Sequence, residues 1–155
     1  MIIAFFGHRK LLNIGDLFEV VKQTILLNIS KNETVEFYCG GYGDFDNLCL
    51  NACNEIKKEQ EKCETVFITP YISEIQQRKI KELISANLYD SVIYPPLENV
   101  PLKFAISKRN EWIVNKADLI IAYVTHKFGG AYKSLLYAKR KKKKIINLAV
   151  EAALY

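Results

Sequence analysis

The chain has 155 residues, half of them apolar, a net charge of +5 and four cysteines. That apolar share is enough to bury a core and excludes a disordered chain. The short apolar start, residues 2–6, lacks the basic flank and cleavage site of a signal peptide, and no run approaches the length of a membrane span, so the expectation is one domain, 1–155, of a soluble protein in the reducing cytosol with no membrane partner.

Strand-like and helical patterns alternate along the chain. Residues 2–6 are aliphatic and aromatic and stop at Gly7. Residues 15–30 place Leu17, Val20, Val21, Ile25 and Ile29 at a helical period, with Asp16 as the expected N-cap. The β-branched and aromatic stretch 34–39 predicts a second strand, and 44–60 a second helix. A third strand at 65–69 is stopped by Pro70 and followed by a polar helix over 73–86. A short fourth strand, 91–94, precedes the rigid loop 95–101. Residues 107–116 read as a helix in which Trp112 is a core residue. The continuous apolar run 118–124 has the character of a strand buried on both faces, with Asp118 serving its start. Gly129 and Gly130 open a last helix over 131–142, 145–148 forms the final strand, and 149–155 is a loose tail. This alternation predicts a three-layer α/β/α fold around a mainly parallel sheet, in which ligands bind at the carboxyl ends of the strands where strand order reverses.

Four polar segments would then converge. Gly7, His8 and Arg9 follow the first strand. The turn Cys39-Gly40-Gly41-Tyr42-Gly43-Asp44-Phe45-Asp46 follows the second. Ser107, Lys108, Arg109 and Asn110 open a helix, and Thr125, His126, Lys127, Phe128, Gly129, Gly130 and Ala131 lie between the buried strand and the last helix. Two glycine-rich strand-to-helix turns offer two backbone cradles for an anion. Arg9 and Arg109 are expected to clamp a phosphate. His8 either ends its strand or bonds a phosphate or ribose. Asp44 is either the N-cap of the second helix or, like Asp46, an acceptor for ribose hydroxyls. Tyr42 and Phe128 are either surface-turn aromatics or base-stacking platforms.

No nucleophile–base pair stands out, and Asp44, Asp46 and Glu111 are the only carboxylates placed for acid–base work. The cysteines lack C-x-x-C spacing and there are two histidines, so neither a metal nor a cofactor is expected. Cys49 and Cys53 share one helix face and read as core. The basic run 139–144 is read as a solvated helix C-terminus, against a nucleic-acid or anionic-membrane contact.

With these segments in place, FFGHR at 5–9, CGGYGDFD at 39–46 and the stretch from SKRNEWIVNKADLIIAYV to GGAYKSLLYAKRKKKKIINL at 107–148 give the chain a resemblance to the SLOG superfamily of Rossmann-like domains. That group includes the LOG nucleotide phosphoribohydrolases and the Rossmann-like domain of the DNA-processing protein DprA. The resemblance covers about residues 3–148 and is strongest to small bacterial SLOG proteins or their phage relatives. It implies a nucleotide-derived ligand at the carboxyl edge of the sheet and, often, a homodimer. In LOG enzymes an arginine opens a helix and a PGGxGTxxE loop follows the next strand. Arg109 matches that arginine, and Gly129 and Gly130 match the glycine pair. Phe128, Tyr132 and Lys133 stand where the proline, third glycine and threonine would be, and Leu136 replaces the glutamate. Loss of that glutamate argues against LOG-type hydrolysis.

Three readings follow. The first is a nucleotide-binding sensor or sequestering module. The second is an N-glycosidic hydrolase of nucleoside phosphates, whose oxocarbenium-like centre would need Asp44, Asp46 or Glu111. The third is a DprA-like nucleic-acid-binding module.

Overall fold

The computed structural model describes residues 1–12 and 14–151. In chain order its elements are β1 (Ile2–Gly7), α1 (Leu17–Asn28), β2 (Val35–Cys39), α2 (Asp44–Glu59), β3 (Cys63–Ile68), α3 (Glu74–Ser85), β4 (Ser91–Ile93), a 3-10 turn (Leu102–Phe104), α4 (Ala105–Lys116), β5 (Leu119–Tyr123), α5 (Gly129–Arg140), β6 (Lys144–Asn147) and α6 (Leu148–Glu151). The strands form one six-stranded sheet in the order β4-β3-β2-β1-β5-β6, and every neighbouring pair is parallel. The sheet grows outward from β1 to β4 on one side and from β5 to β6 on the other. Its strand order therefore reverses between β1 and β5.

Alternation along the strands sorts the core into two layers. Ile3 and Phe5 of β1 face the helices α1, α2 and α3, whose Val21, Ile25, Phe45, Cys49, Cys53, Ile56 and Ile80 are buried there. Ala4 and Phe6 face the opposite way, onto Ile113, Val114 and Ala138 of α4 and α5. Each fully buried aliphatic or aromatic side chain contributes roughly 1.5–3 kcal/mol of transfer free energy. No described helix is long and apolar enough to cross a membrane.

Several expectations about element ends are corrected. The helix expected from residue 15 starts at Leu17, after Gly15 with a φ of +41°. Asp16 occupies the cap position but its side chain makes no cap hydrogen bond. Asp44 is not the N-cap of α2: Gly43 holds that position and Asp44 is the first helical residue. The fourth helix starts at Ala105 rather than 107, because the 3-10 turn, closed by Phe104 N–H donating to Pro101 O at 2.8 Å, feeds directly into it. The Gly129-Gly130 pair lies inside the first turn of α5 rather than before it. The expected tail is replaced in its first part by α6, and residues 152–155 lie outside the described residues. Trp112 is only partly buried, stacked on Tyr38 with ring centres 5.9 Å apart at the border of the second layer. Asp118 does serve the start of its strand, accepting Ile2 N–H at 2.7 Å and so tying β5 to β1.

The basic run ends α5 as expected. Lys142 takes a positive φ of 54°, and Lys143 N–H donates to Ala138 O. The Lys143 ammonium donates to Asn115 O at 2.9 Å and Ala117 O at 3.0 Å, placing a cation on the last carbonyls of α4. Lys144 reaches Asn28 Oδ1 at 3.0 Å.

Candidate functional site

A cavity of about 430 Å³ opens at the carboxyl ends of β1 and β5, where the strand order reverses. Its walls come from all four segments: Gly7, His8, Arg9 and Lys10 after β1; Gly40, Tyr42 and Asp46 after β2; Arg109 and Asn110 on α4; and His126, Phe128, Gly129, Gly130 and Ala131 around the start of α5. Ile106 and Ile113 of α4, and Phe5 and Phe6 of β1, supply the apolar part of the lining.

Four expected site residues do not line it. Gly41 has a φ of +73°, and a Cβ there would stand 2.4 Å from the Phe67 ring, so it shapes the turn against β3. Gly43 has a φ of +105°, and a Cβ would meet the Arg9 Cα at 2.6 Å. Only glycine lets the β2 turn close on the β1 loop, where Asp44 N–H donates to Arg9 O at 2.8 Å. Asp44 faces that loop, its Oδ2 accepting Leu11 N–H at 3.0 Å. Ser107 is exposed, and its hydroxyl donates to Phe104 O at 3.1 Å.

The two helix starts are electrostatically different. At α2, Asp44 and Asp46 both lie in the first turn, and Asp46 Oδ2 accepts Tyr42 N–H at 2.8 Å. The positive end of that helix is already met by carboxylates, so the β2 turn is no second anion cradle. At α5 there is no acidic residue in the first turn, and the cap residue Phe128 makes no side-chain cap bond. The unpaired N–H groups of that turn adjoin the cavity lined by Gly129, Gly130 and Ala131. A Cβ at Gly129 or Gly130 would meet no atom within 4 Å, so this wall is open to a ligand. Arg9 and Lys10 are exposed at the cavity, and among the described residues neither forms an ion pair.

Arg109 departs from its expected role as a free clamp. It is only 3% exposed. Its Nη1 donates to Gly40 O at 2.9 Å and Ile68 O at 2.6 Å, and its Nε donates to Asn110 Oδ1 at 2.9 Å. The guanidinium also lies over the Tyr42 ring at 5.5 Å, occupying one face of that aromatic. Arg109 thus fastens the carboxyl ends of β2 and β3 to α4. Asn110 continues the chain of bonds, donating to Ser134 Oγ at 3.2 Å, and Ser134 donates to Gly130 O at 3.0 Å. The first turn of α5 is in this way held against α4.

His8 is likewise a tie. Its Nε2 accepts Thr125 N–H at 2.9 Å, bridging the loops after β1 and β5. That bond requires the neutral ring with its proton on Nδ1. The ring stacks on His126 with centres 3.7 Å apart and an interplanar angle of 8°, and His126 stacks in turn on Phe128 at 3.9 Å. Phe128 is 69% exposed and ends this three-ring stack at the cavity mouth. Burial, then the neighbouring His126, hold the His8 pKa below its usual 6.5. The neutral form is favoured by folding, so its contribution is present above pH 6.5 and lost as pH falls through the lower folded value. Hydrogen exchange at the Thr125 amide, followed from about pH 7.5 to about pH 5, is expected to lose protection beyond the intrinsic pH trend; constant protection would rule out the neutral His8 tie.

Lys10, Ile106 and Ile113 line the cavity without a site role in the sequence reading. His126, part of the fourth polar segment, stacks on His8 because the two histidines sit just after adjacent strands. Leu136, at the position of the LOG glutamate, lies on α5 away from the cavity lining. Among the described residues no group of three or more His, Cys, Asp or Glu side chains is gathered to hold a metal.

No protein-family model matches the chain. No curated protein matches it either. Solved structures do. The chain is similar to DNA processing protein A (DprA) from Streptococcus pneumoniae, with a TM-score of 0.61 and 16% identity over 92% of this chain and 48% of that one. It is also similar to DNA processing protein A from Helicobacter pylori, in a structure addressing that protein's single-stranded DNA binding mode. There the TM-score is 0.54 and the identity 16%, over 94% of this chain and 63% of that one. The fold is therefore the Rossmann-like α/β fold with a parallel sheet that these proteins contain. The chain spans about half to two thirds of the length of these proteins.

Proposed function

We propose that the chain binds a nucleotide or nucleotide-derived ligand in the cavity between β1 and β5, as a sensor or sequestering module. The observation that carries this reading is the start of α5, where unpaired amides with no acidic neighbour adjoin the cavity at the point of strand reversal. A phosphate set there meets the positive end of a twelve-residue helix and the exposed cations of Arg9 and Lys10. The open face of Phe128 supplies a stacking surface for a base, worth roughly 1 kcal/mol.

Isothermal titration with nucleoside mono- and diphosphates tests the reading. Gly130→Asp places a carboxylate in the cradle, where the space is open and the first turn of a helix welcomes acidic residues. The variant is expected to keep its melting temperature and lose affinity by at least about tenfold. Unchanged affinity would remove α5 from the site.

A second reading, binding of single-stranded nucleic acid, is favoured by the likeness to the Helicobacter pylori protein. The basic run 139–144 does not support it at the cavity, because it starts at the far end of α5, about 15 Å along the helix axis from Gly129. Affinity for single strands that falls steeply with salt, together with no affinity for mononucleotides, would favour this alternative.

A further inference from the structure

The cavity carries a carboxylate beside a guanidinium on the side between the β2 turn and α4. Asp46 is the single acidic residue of the lining. One of its oxygens, Oδ2, accepts Tyr42 N–H, and the other, Oδ1, makes no hydrogen bond among the described residues. Arg109 commits Nη1 and Nε to protein partners and, among the described residues, leaves Nη2 without one. Among the described residues no fully buried side-chain nitrogen or oxygen lacks a partner, so neither Oδ1 nor Nη2 is sealed from solvent. The two side chains flank Gly40. A Cβ built there would stand 3.2 Å from Asp46 Oδ2 and 3.3 Å from Arg109 Nη2, so the missing side chain keeps a gap between them. They do not close into an ion pair with each other.

The Asp46 carboxylate and the Arg109 guanidinium, on either side of Gly40, match two adjacent hydroxyls, one donating and one accepting. We propose that Asp46 Oδ1 and Arg109 Nη2 read the vicinal diol of a ribose, which makes the ligand class ribonucleotides rather than 2′-deoxyribonucleotides. The inference rests on the nucleotide reading above and adds the sugar to it. Removing one hydroxyl leaves a charged group unpaired in the cavity, a defect that discriminates more strongly than a lost apolar contact.

The carboxylate is also the proton-sensitive part of this pair. Burial pushes Asp46 up to about 6, against the Tyr42 N–H, Arg109 on α4 and Arg9 on the β1 loop, which pull it down. The other titratable groups coupled to it, Cys39, Cys49 and Tyr89, are buried and shifted upward, so they stay protonated near neutrality. Discrimination therefore weakens as pH falls through about 6.

The test is calorimetric titration of the whole chain with the four ribonucleoside 5′-monophosphates and their 2′-deoxy counterparts, at about pH 7.5 and about pH 5. At the higher pH the ribo form is expected to bind at least about tenfold tighter than its deoxy partner. That ratio is expected to shrink toward one at the lower pH and in Asp46→Asn, whose amide oxygen still accepts Tyr42 N–H. Because His8 also titrates at the mouth in both proteins, the pH effect is read as the difference between wild type and Asp46→Asn. Equal ribo and deoxy affinities in the wild type, which needs no variant to fold, would overturn the diol assignment and leave nucleotide binding standing. A ratio kept by Asp46→Asn would also overturn it. Binding of no nucleotide in either series would overturn both.

Discussion

Arg109→Ala is expected to destabilise the protein by about 2–6 kcal/mol, since two buried carbonyls each lose their donor at roughly 1–3 kcal/mol. The guanidinium is the donor for both Gly40 O and Ile68 O, at the carboxyl ends of two adjacent strands, and it also pairs with Asn110. Alanine leaves those two carbonyls without their donor, removes a cation near Asp46 and opens a void under the Tyr42 ring. Lysine is not expected to rescue the loss, since a single ammonium cannot reproduce a planar fork that bonds two carbonyls and a side-chain amide at once. Urea unfolding at neutral pH measures the effect. A cost within about 1 kcal/mol would mean that solvent or a neighbour satisfies those carbonyls, and Arg109 would return to being a free ligand clamp.

The second large effect has the opposite sign. Asp46→Asn is expected to raise stability at and above pH 7 by about 2–3 kcal/mol, at about 1.4 kcal/mol per pKa unit. The folded carboxyl titrates at about 6 against an ordinary value of 3.8. Folding thus favours its protonated form, and its contribution to stability is full below pH 3.8 and lost as pH rises through about 6. The asparagine removes that loss while keeping the acceptor for Tyr42 N–H. The difference in unfolding free energy between the two proteins should be small near pH 4 and grow up to pH 7. A variant no more stable than wild type at pH 7 would show that the ionised carboxylate is already compensated, by Arg109 or by solvent. Combined with the expected loss of sugar discrimination, a gain in stability would mark Asp46 as a group held at a cost to the fold.

Much of the site was legible before any coordinates, because its parts announce themselves locally. Glycines 40, 41, 43, 129 and 130 sit between strand and helix patterns, and in a parallel α/β sheet every such junction falls on the carboxyl rim. That reasoning brought Arg9, Gly40, Arg109 and Gly130 to one cavity. It misjudged what the charged and glycine residues do there. Arg109 reads as a ligand clamp because its carbonyl partners, Gly40 and Ile68, are 69 and 41 residues away. Gly41 and Gly43 read as ligand-approach glycines, yet what approaches them is Phe67 and the Arg9 backbone. His8 reads either as the end of its strand or as a ligand contact, and its tie to Thr125 spans 117 positions.

What the amino-acid order alone decided here is the identity and succession of the elements, since hydrophobic period, glycine and proline placement act within a few residues. It also decided that two glycine-bearing junctions would exist. Which helix start adjoins the cavity without an acidic residue in its first turn was decided only when the chain folded: Asp44 and Asp46 lie in the first turn of α2, and the first turn of α5 holds no acidic residue. The fate of each polar group depends on the partner that tertiary contact delivers, and hydrogen bonds between segments so far apart in the chain have no local signal.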